Sequence, residues 1–215
     1  KYVKILSASQ GQLYSKDFII LNNKKIIMKK FPFIIIVSII TLFAKDTKTV
    51  EADFIDVGQG DSILVREKSG TVMLFDGGSS DIKNVGAKRI YPLIKCKGIK
   101  KIDYLVGTHP HEDHIGGLDN VIKNFDIGTI YMPNVVATTK TFEEVIDAIS
   151  AKKLKVTSPK TGDKFTVGNA ECEVMSIRND KDDYNNCSIV IKMDFNNVSY
   201  LFTGDAEESV ESSRK

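Results

Sequence analysis

Thr108-His109-Pro110-His111-Glu112-Asp113-His114-Ile115-Gly116-Gly117-Leu118 is the stretch around which the chain is organised. All three histidines of the 215 residues lie inside it, with two carboxylates between them. Imidazole suits zinc and neighbouring transition metals, and an adjacent carboxylate can complete a site or hold a second ion. A histidine-rich exposed loop would show the same composition by chance. The confinement of every histidine to six positions favours a metal site. In an extended segment side chains alternate faces, so His109 and His111 point the same way and can share one ion. Asp113 and His114 follow where the chain turns and can serve a second ion. Two metals about 3.5–4 Å apart can bridge a hydroxide and clamp both oxygens of an in-line displacement, whereas one metal already lowers the pKa of bound water to about 7. Either route predicts hydrolysis without a covalent enzyme intermediate.

Outward from the loop, 102–107 reads as the strand that delivers it, and 118–124 as a helix opened by Gly116-Gly117. Upstream, 50–57, 62–65 and 71–75 read as strands, the last two joined as a hairpin through Lys68-Ser69-Gly70. Asp61 and Asp76 sit in acid-and-glycine turns after strands. Such turns serve plain turn chemistry or bring carboxylates and bare backbone to a common site. Residues 86–97 carry a helical face with Ile90, Leu93 and Ile94, stopped by Gly98. Thr141 and Glu144 fit a capping box, with Phe142, Val145, Ile146 and Ile149 as the buried face behind it. Strands return at 129–132, 164–167, 171–177, 187–195 and 198–203. Ile189, Ile191, Met193 and Phe195 share one face, and Asn196-Asn197 is a two-residue hairpin turn. Asp205 closes the last strand, and a helix is expected to start at Ala206-Glu207-Glu208. From spacing alone Asp205 serves equally as a bridging ligand or as a helix cap.

Composition bounds the rest. Hydrophobic content of 42% and charged content of 27% are those of a globular protein with one substantial core or two small ones. The formal charge of +2 is unevenly spread: residues 1–44 hold seven Lys/Arg and one acid, leaving 23 basic and 27 acidic residues in the remainder. An acidic body is not the footprint of a general nucleic-acid binder, although a local basic patch remains open. Cys96, Cys172 and Cys187 show no metal or disulfide spacing and read as buried small apolar residues. Residues 1–27 show no motif and are expected to be an upstream extension outside the fold. Met28-Lys29-Lys30 leads into fourteen uncharged residues, 31–44, too short for a membrane span of about 20 residues but right for a signal-peptide core. Residues 28–44 are therefore expected to be an export signal or an uncleaved membrane anchor. The protein is placed outside the cell or on its surface, touching a membrane only through this segment.

The order of motifs gives a resemblance. His109-Pro110-His111-Glu112-Asp113-His114 is similar to the HxHxDH signature of the metallo-β-lactamase superfamily. Phe54 to Ser62 (FIDVGQGDS), Phe75-Asp76-Gly77-Gly78, Asn185 to Val190 (NNCSIV) and Phe202 to Glu207 (FTGDAE) resemble the hydrolase domain of ComEC-type competence proteins and its free-standing exported relatives. The resemblance implies an α/β class fold, an αββα sandwich with the metal loop at the edges of two sheets, over residues 45–215. It implies two divalent ions, Zn²⁺ or Mn²⁺. His109 and His111 would bind the first, Asp113 and His114 the second, and Asp205 would bridge them. Asp113 would also orient the attacking water, Asp61 and Asp76 would buttress the loops, and Asn185 and Ser188 would lie on the opposite wall. The family usually continues past the Gly-Asp strand through a further unit with a late histidine. The present chain ends ten residues after Asp205. The domain is thus expected to be C-terminally incomplete, without its last strands and helix, and with open sheet edges and exposed apolar surface. The implied activity is hydrolysis of phosphodiester or nucleic-acid substrates. The alternatives are another small-molecule bond (lactone, thioester or β-lactam) or an inactive metal-binding fragment. No protein partner is inferable.

Overall fold

The computed structural model describes residues 2–5, 49–79, 85–178 and 183–207. The expected signal or anchor at 28–44 lies outside the described residues. Among the described residues no helix is long and apolar enough to cross a membrane.

In chain order the elements are β1 (Tyr2–Ile5), β2 (Val50–Phe54), β3 (Ile63–Glu67), β4 (Val72–Phe75), a π-helical turn (Gly86–Ile90) running into α1 (Tyr91–Cys96), β5 (Lys101–Val106), α2 (Glu112–Ile115), α3 (Leu118–Asn124), β6 (Asp126–Tyr131), α4 (Lys140–Ala151), β7 (Val156–Thr157), β8 (Lys164–Val167), β9 (Ala170–Ser176), a 3₁₀ turn (Asn185–Cys187), β10 (Val190–Phe195) and β11 (Val198–Phe202). They form a six-stranded sheet in the order β2-β3-β4-β5-β6-β7 and a five-stranded sheet in the order β1-β11-β10-β9-β8. β2, β3 and β4 pair antiparallel, and β4 through β7 pair parallel.

Period-two alternation builds two cores from the same strands. On β3 and β4, Leu64, Val72 and Leu74 face the helices, where Ile94, Leu118, Val121, Ile122, Phe142, Val145 and Ile149 pack against them. Ile63, Val65, Met73 and Phe75 face the other sheet and meet Val167, Cys172, Val174, Ile189, Ile191, Met193, Phe195 and Phe202. The result is helices, sheet, sheet: three layers of the αββα plan, with no helix on the outer face of the five-stranded sheet among the described residues. The expected shared face of Ile189, Ile191, Met193 and Phe195 is there, buried between the sheets. Asn196 takes the hairpin turn at φ 53°.

The outer face of the five-stranded sheet differs from the expected apolar surface. Glu171, Glu173, Lys192 and Asp194 alternate with the buried residues of β9 and β10, and Lys192–Asp194 (2.7 Å) and Lys164–Glu173 (3.5 Å) pair across it. Its edge strand β11 takes β1 in parallel, Tyr2 against Ser199 through Ile5 against Phe202. This short segment of the expected upstream extension therefore joins the fold, because an unpaired edge offers a row of free N–H and C=O groups.

Three local expectations change. Helix α4 begins at Lys140, capped by Thr139, whose hydroxyl accepts from the Phe142 amide (3.2 Å), so Thr141 is no N-cap. Thr141 instead donates to Glu112 Oε1 (3.0 Å), tying the helix to the histidine loop. The helix buries Ala148 and leaves Ile146 exposed, so its inward stripe runs through Phe142, Val145, Ala148 and Ile149. Cys172 and Cys187 are buried as expected, but Cys96 is exposed at the end of α1, on the side away from Ile94.

Candidate metal centre

The parallel strands β4 and β5 run in the same direction, so their carboxyl ends deliver Asp76 and the histidine loop side by side. Asp76 sits at φ 55°, in the left-handed region that an aspartate tolerates better than most side chains. Its backbone N–H donates to Val106 O (2.8 Å), locking the two strand ends together. The neighbouring glycines let backbone approach backbone. Gly77 N donates to His114 O (2.5 Å) and Gly78 N to Asp61 O (2.9 Å), while Gly116 N donates to Gly78 O (2.9 Å). Gly60, at φ 90°, lies so close under Asp113 that a Cβ there would stand 1.6 Å from the Asp113 carbonyl oxygen. The turns at 58–61 and 76–78 thus clamp the loop from below.

Asp76 is buried and spends both oxygens on the loop. Its Oδ1 accepts from the Thr108 amide (2.8 Å); its Oδ2 accepts from the Thr108 hydroxyl (2.7 Å) and from His114 Nδ1 (2.9 Å). With its proton committed to Asp76, Thr108 Oγ1 can only accept from His109 Nδ1, 3.1 Å away. Ser188 Oγ stands 3.3 Å from the same nitrogen. One carboxylate therefore fixes the tautomers of both buried histidines, and the Nε2 atoms of His109 and His114 are left to face inward. Carboxylates and hydroxyls on the far ring nitrogen are the usual support of metal-ligating imidazoles.

The inward atoms converge. His109 Nε2 is 3.0 Å from His111 Nδ1, and His114 Nε2 is 3.3 Å from Asp205 Oδ2. The rings of His109 and His114 are 4.1 Å apart. His109, His114 and Asp205 offer ligand atoms all within 4.8 Å of one another, as do Asp61, Asp76 and His114. Their electrostatics call for a cation. Burial and the neighbouring His114 push His109 down to about 2. Burial pulls against His114 too, but the Asp76 and Asp205 carboxylates outweigh it and hold His114 up at about 11. In the metal-free chain a proton on His114 thus supplies the positive charge that two carboxylates demand. This donor set of imidazole nitrogens and carboxylate oxygens fits a divalent transition-metal ion.

The remaining residues expected at the site are placed as follows. His111 is half-buried, with the Tyr184 ring 5.6 Å away, and Tyr184 donates to Val136 O (3.2 Å). Asp113 is not among those three-residue groups; its Oδ2 accepts from Gln59 Nε2 (3.3 Å) at the rim. Ser188 is on the wall against His109, and Asn185 forms the turn before it, accepting from the Ser188 amide (3.0 Å). The Ile189 amide then donates to Thr108 O (3.0 Å), stitching the second sheet to the loop. Asp205 lies in a turn; the helix expected from Ala206 onward falls largely outside the described residues. Thr108, Gln59 and Tyr184 carry no role in the sequence reading. Each stands one position from an assigned or motif residue, and hydrogen bonding across the fold is what reveals it.

Comparison with known proteins agrees with this geometry. The metallo-beta-lactamase superfamily matches residues 55–214. ComE operon protein 3 of Bacillus subtilis (strain 168) is 29% identical over 175 residues, 75% of this chain and 23% of that protein. Ribonuclease J of Synechocystis is 29% identical over 126 residues, 54% of this chain and 20% of that protein. The chain spans less than a quarter of the length of either relative. Among solved structures, the Rm3 metallo-beta-lactamase aligns with a TM-score of 0.47 at 14% identity, over 71% of this chain and 58% of that one. With the family match covering most of the described fold and a divalent-metal donor set at the carboxyl ends of β4 and β5, the chain belongs to the metallo-beta-lactamase superfamily, a fold family of metal-dependent hydrolases.

Proposed function

We propose that this chain carries a Zn²⁺- or Mn²⁺-dependent hydrolase centre acting on phosphodiesters. The observation that carries the reading is the convergence of His109, His114 and Asp205 under the control of Asp76. A divalent ion held there supplies Lewis acidity, making a water-derived nucleophile available near neutral pH and stabilising charge on the reacting oxygens. The protein's own part is positional. Asp76, through Thr108 and directly, aims the two Nε2 atoms, and His111 adds a third imidazole at the open side. Asp113, oriented by Gln59 at the rim, is the group that would receive the proton of the attacking water. A phosphodiester is favoured over a lactone, thioester or β-lactam because Ribonuclease J, by its name, acts on RNA and is 29% identical over 54% of this chain. Residues 28–44 would place this centre outside the membrane.

Hydrolysis of bis(p-nitrophenyl) phosphate by the metal-supplemented chain, beside a lactone, a thioester and a cephalosporin, tests the reading. Turnover of the diester that His111→Ala abolishes supports it. Turnover confined to another bond replaces the substrate class, and activity that survives His111→Ala rejects the metal mechanism.

A further inference from the structure

The rim of the metal centre is uneven. On one side Gln59 and Asp113 meet through polar groups. On the His111 side, the connection between β6 and α4 meets the 3₁₀ turn that precedes β10. Val135 and Ala137 of that connection are buried, and Val136 between them is 76% exposed, the most open large hydrophobic side chain among the described residues. A single exposed valine is ordinary on a protein surface. This one is set apart by how it is held. Val136 O accepts from the Tyr184 hydroxyl (3.2 Å), and Thr141, in the first turn of α4, donates to Glu112 beside the histidine loop (3.0 Å). Tyr184 is fixed in turn. The Asp183 carboxylate accepts from the Asn185 amide (3.0 Å) and from Asn186 Nδ2 (2.6 Å), which folds the chain around Tyr184, and the ring packs against the helix-side core. The Tyr184 ring stands 5.6 Å from the His111 ring, edge to face at 68°. Neither Tyr184 nor Val136 is charged at neutral pH, and the Asp183 and Glu112 carboxylates beside them are spent on these bonds. An apolar lip, tied down at both ends, therefore begins at a histidine of the metal loop.

We propose that Tyr184 and Val136 are the specificity-determining wall of this centre, receiving an uncharged, aryl-sized substituent of the ester. The proposal rests on the phosphodiester reading above and narrows its substrate class to diesters with one bulky apolar alcohol. His111 lies between the wall and the inward nitrogens, its Nδ1 3.0 Å from His109 Nε2, so an ester reacting there has one substituent within reach of the wall. A tyrosine ring offers such a group apolar area and an edge or face to meet, and it is already ordered before the substituent arrives. The lip has no ammonium or guanidinium to meet a further phosphate.

The test is equilibrium binding of phenylphosphonate and methylphosphonate to the zinc-loaded full chain by titration calorimetry, which needs no turnover. The wild-type chain is expected to prefer phenylphosphonate by about ten-fold, the worth of laying one ring against the wall. Tyr184→Ala should bring that preference to about two-fold or less, and Tyr184→Phe should keep it, because the wall is the ring and not the hydroxyl. Val136→Ser, at an exposed position where folding is not at stake, should cut it by about three-fold. Equal loss of both phosphonates in the alanine variant overturns the proposal, since Tyr184 would then only brace His111. A wild-type chain that binds the two phosphonates alike, or binds neither, overturns it too. The two readings fail separately: turnover of bis(p-nitrophenyl) phosphate without a phosphonate preference removes the wall alone, and the preference without turnover of any ester removes the hydrolase reading alone.

Discussion

Asp76 Oδ2 lies 2.9 Å from His114 Nδ1 and, through the Thr108 hydroxyl, also governs His109. Asp76→Asn keeps the side-chain shape and suits the left-handed backbone at this position. It removes the charge and one acceptor. Metal affinity should fall by about 10–100-fold, the usual effect of losing such a partner. Competition against a chromophoric chelator measures this, and an unchanged circular dichroism spectrum separates it from unfolding.

Thr108→Val tests the relay to His109. The β-branched shape is preserved, but His109 Nδ1 loses its nearer acceptor, keeping Ser188 Oγ at 3.3 Å, and Asp76 loses a donor. Metal affinity is expected to drop by about ten-fold and stability by about 1–3 kcal/mol. Thr108→Ser should restore most of both. A valine variant that binds metal like wild type would show that the relay does not orient His109.

The metal-free chain should be most stable near pH 6.5. His109 stays neutral in the fold, pushed down to about 2, so below pH 6.5 the unfolded chain binds a proton that the folded chain does not, and stability falls as pH falls. His114 keeps its proton in the fold up to about 11, so above pH 6.5 the folded chain holds the extra proton and stability falls as pH rises. Urea midpoints across pH 4–10 in chelator, with and without His114→Gln, read both limbs. The substitution should abolish the alkaline limb and make the acid limb shallower without removing it, because burial still holds His109 down once the His114 charge is gone.

Gly60→Ala and Gly70→Ala form a matched pair. Both positions have φ near +90° (90° and 98°), but a Cβ at Gly60 meets the Asp113 carbonyl, whereas at Gly70 it meets nothing within 4 Å. The first should cost more than about 2 kcal/mol and weaken metal binding; the second should cost about 1 kcal/mol and leave metal binding alone. Equal losses in denaturant titrations would mean that the turn does not brace the loop.

Much of this was readable from residue order alone. The alternation in β10 foretold the shared face of Ile189, Ile191, Met193 and Phe195, which lies between the sheets. The concentration of all histidines in one loop located the centre. What could not be read was hydrogen bonding between elements far apart in sequence. Nothing local says that Asp76, 32 residues before Thr108, takes both of its protons, or that Thr141 leaves a good capping position to bond Glu112. The exposure of Cys96 has a related reason: cysteine is usually buried, but its position on α1 is set by Ile90 and Ile94, which claim the inward face. Strand β7 has no local signature, because two residues carry no periodicity and its pairing depends on β6 being beside it.

The central claim is that His109, His114 and Asp205 together hold a divalent ion. Zinc titration of the chelator-treated full chain, with zinc K-edge absorption of the loaded protein, tests it most directly. The account predicts at least one ion per chain with imidazole nitrogen in its coordination shell, and loss of that ion in both His114→Ala and Asp205→Ala variants that retain their fold. Zinc bound with undiminished affinity in those variants, or no zinc bound by the wild-type chain, would contradict it.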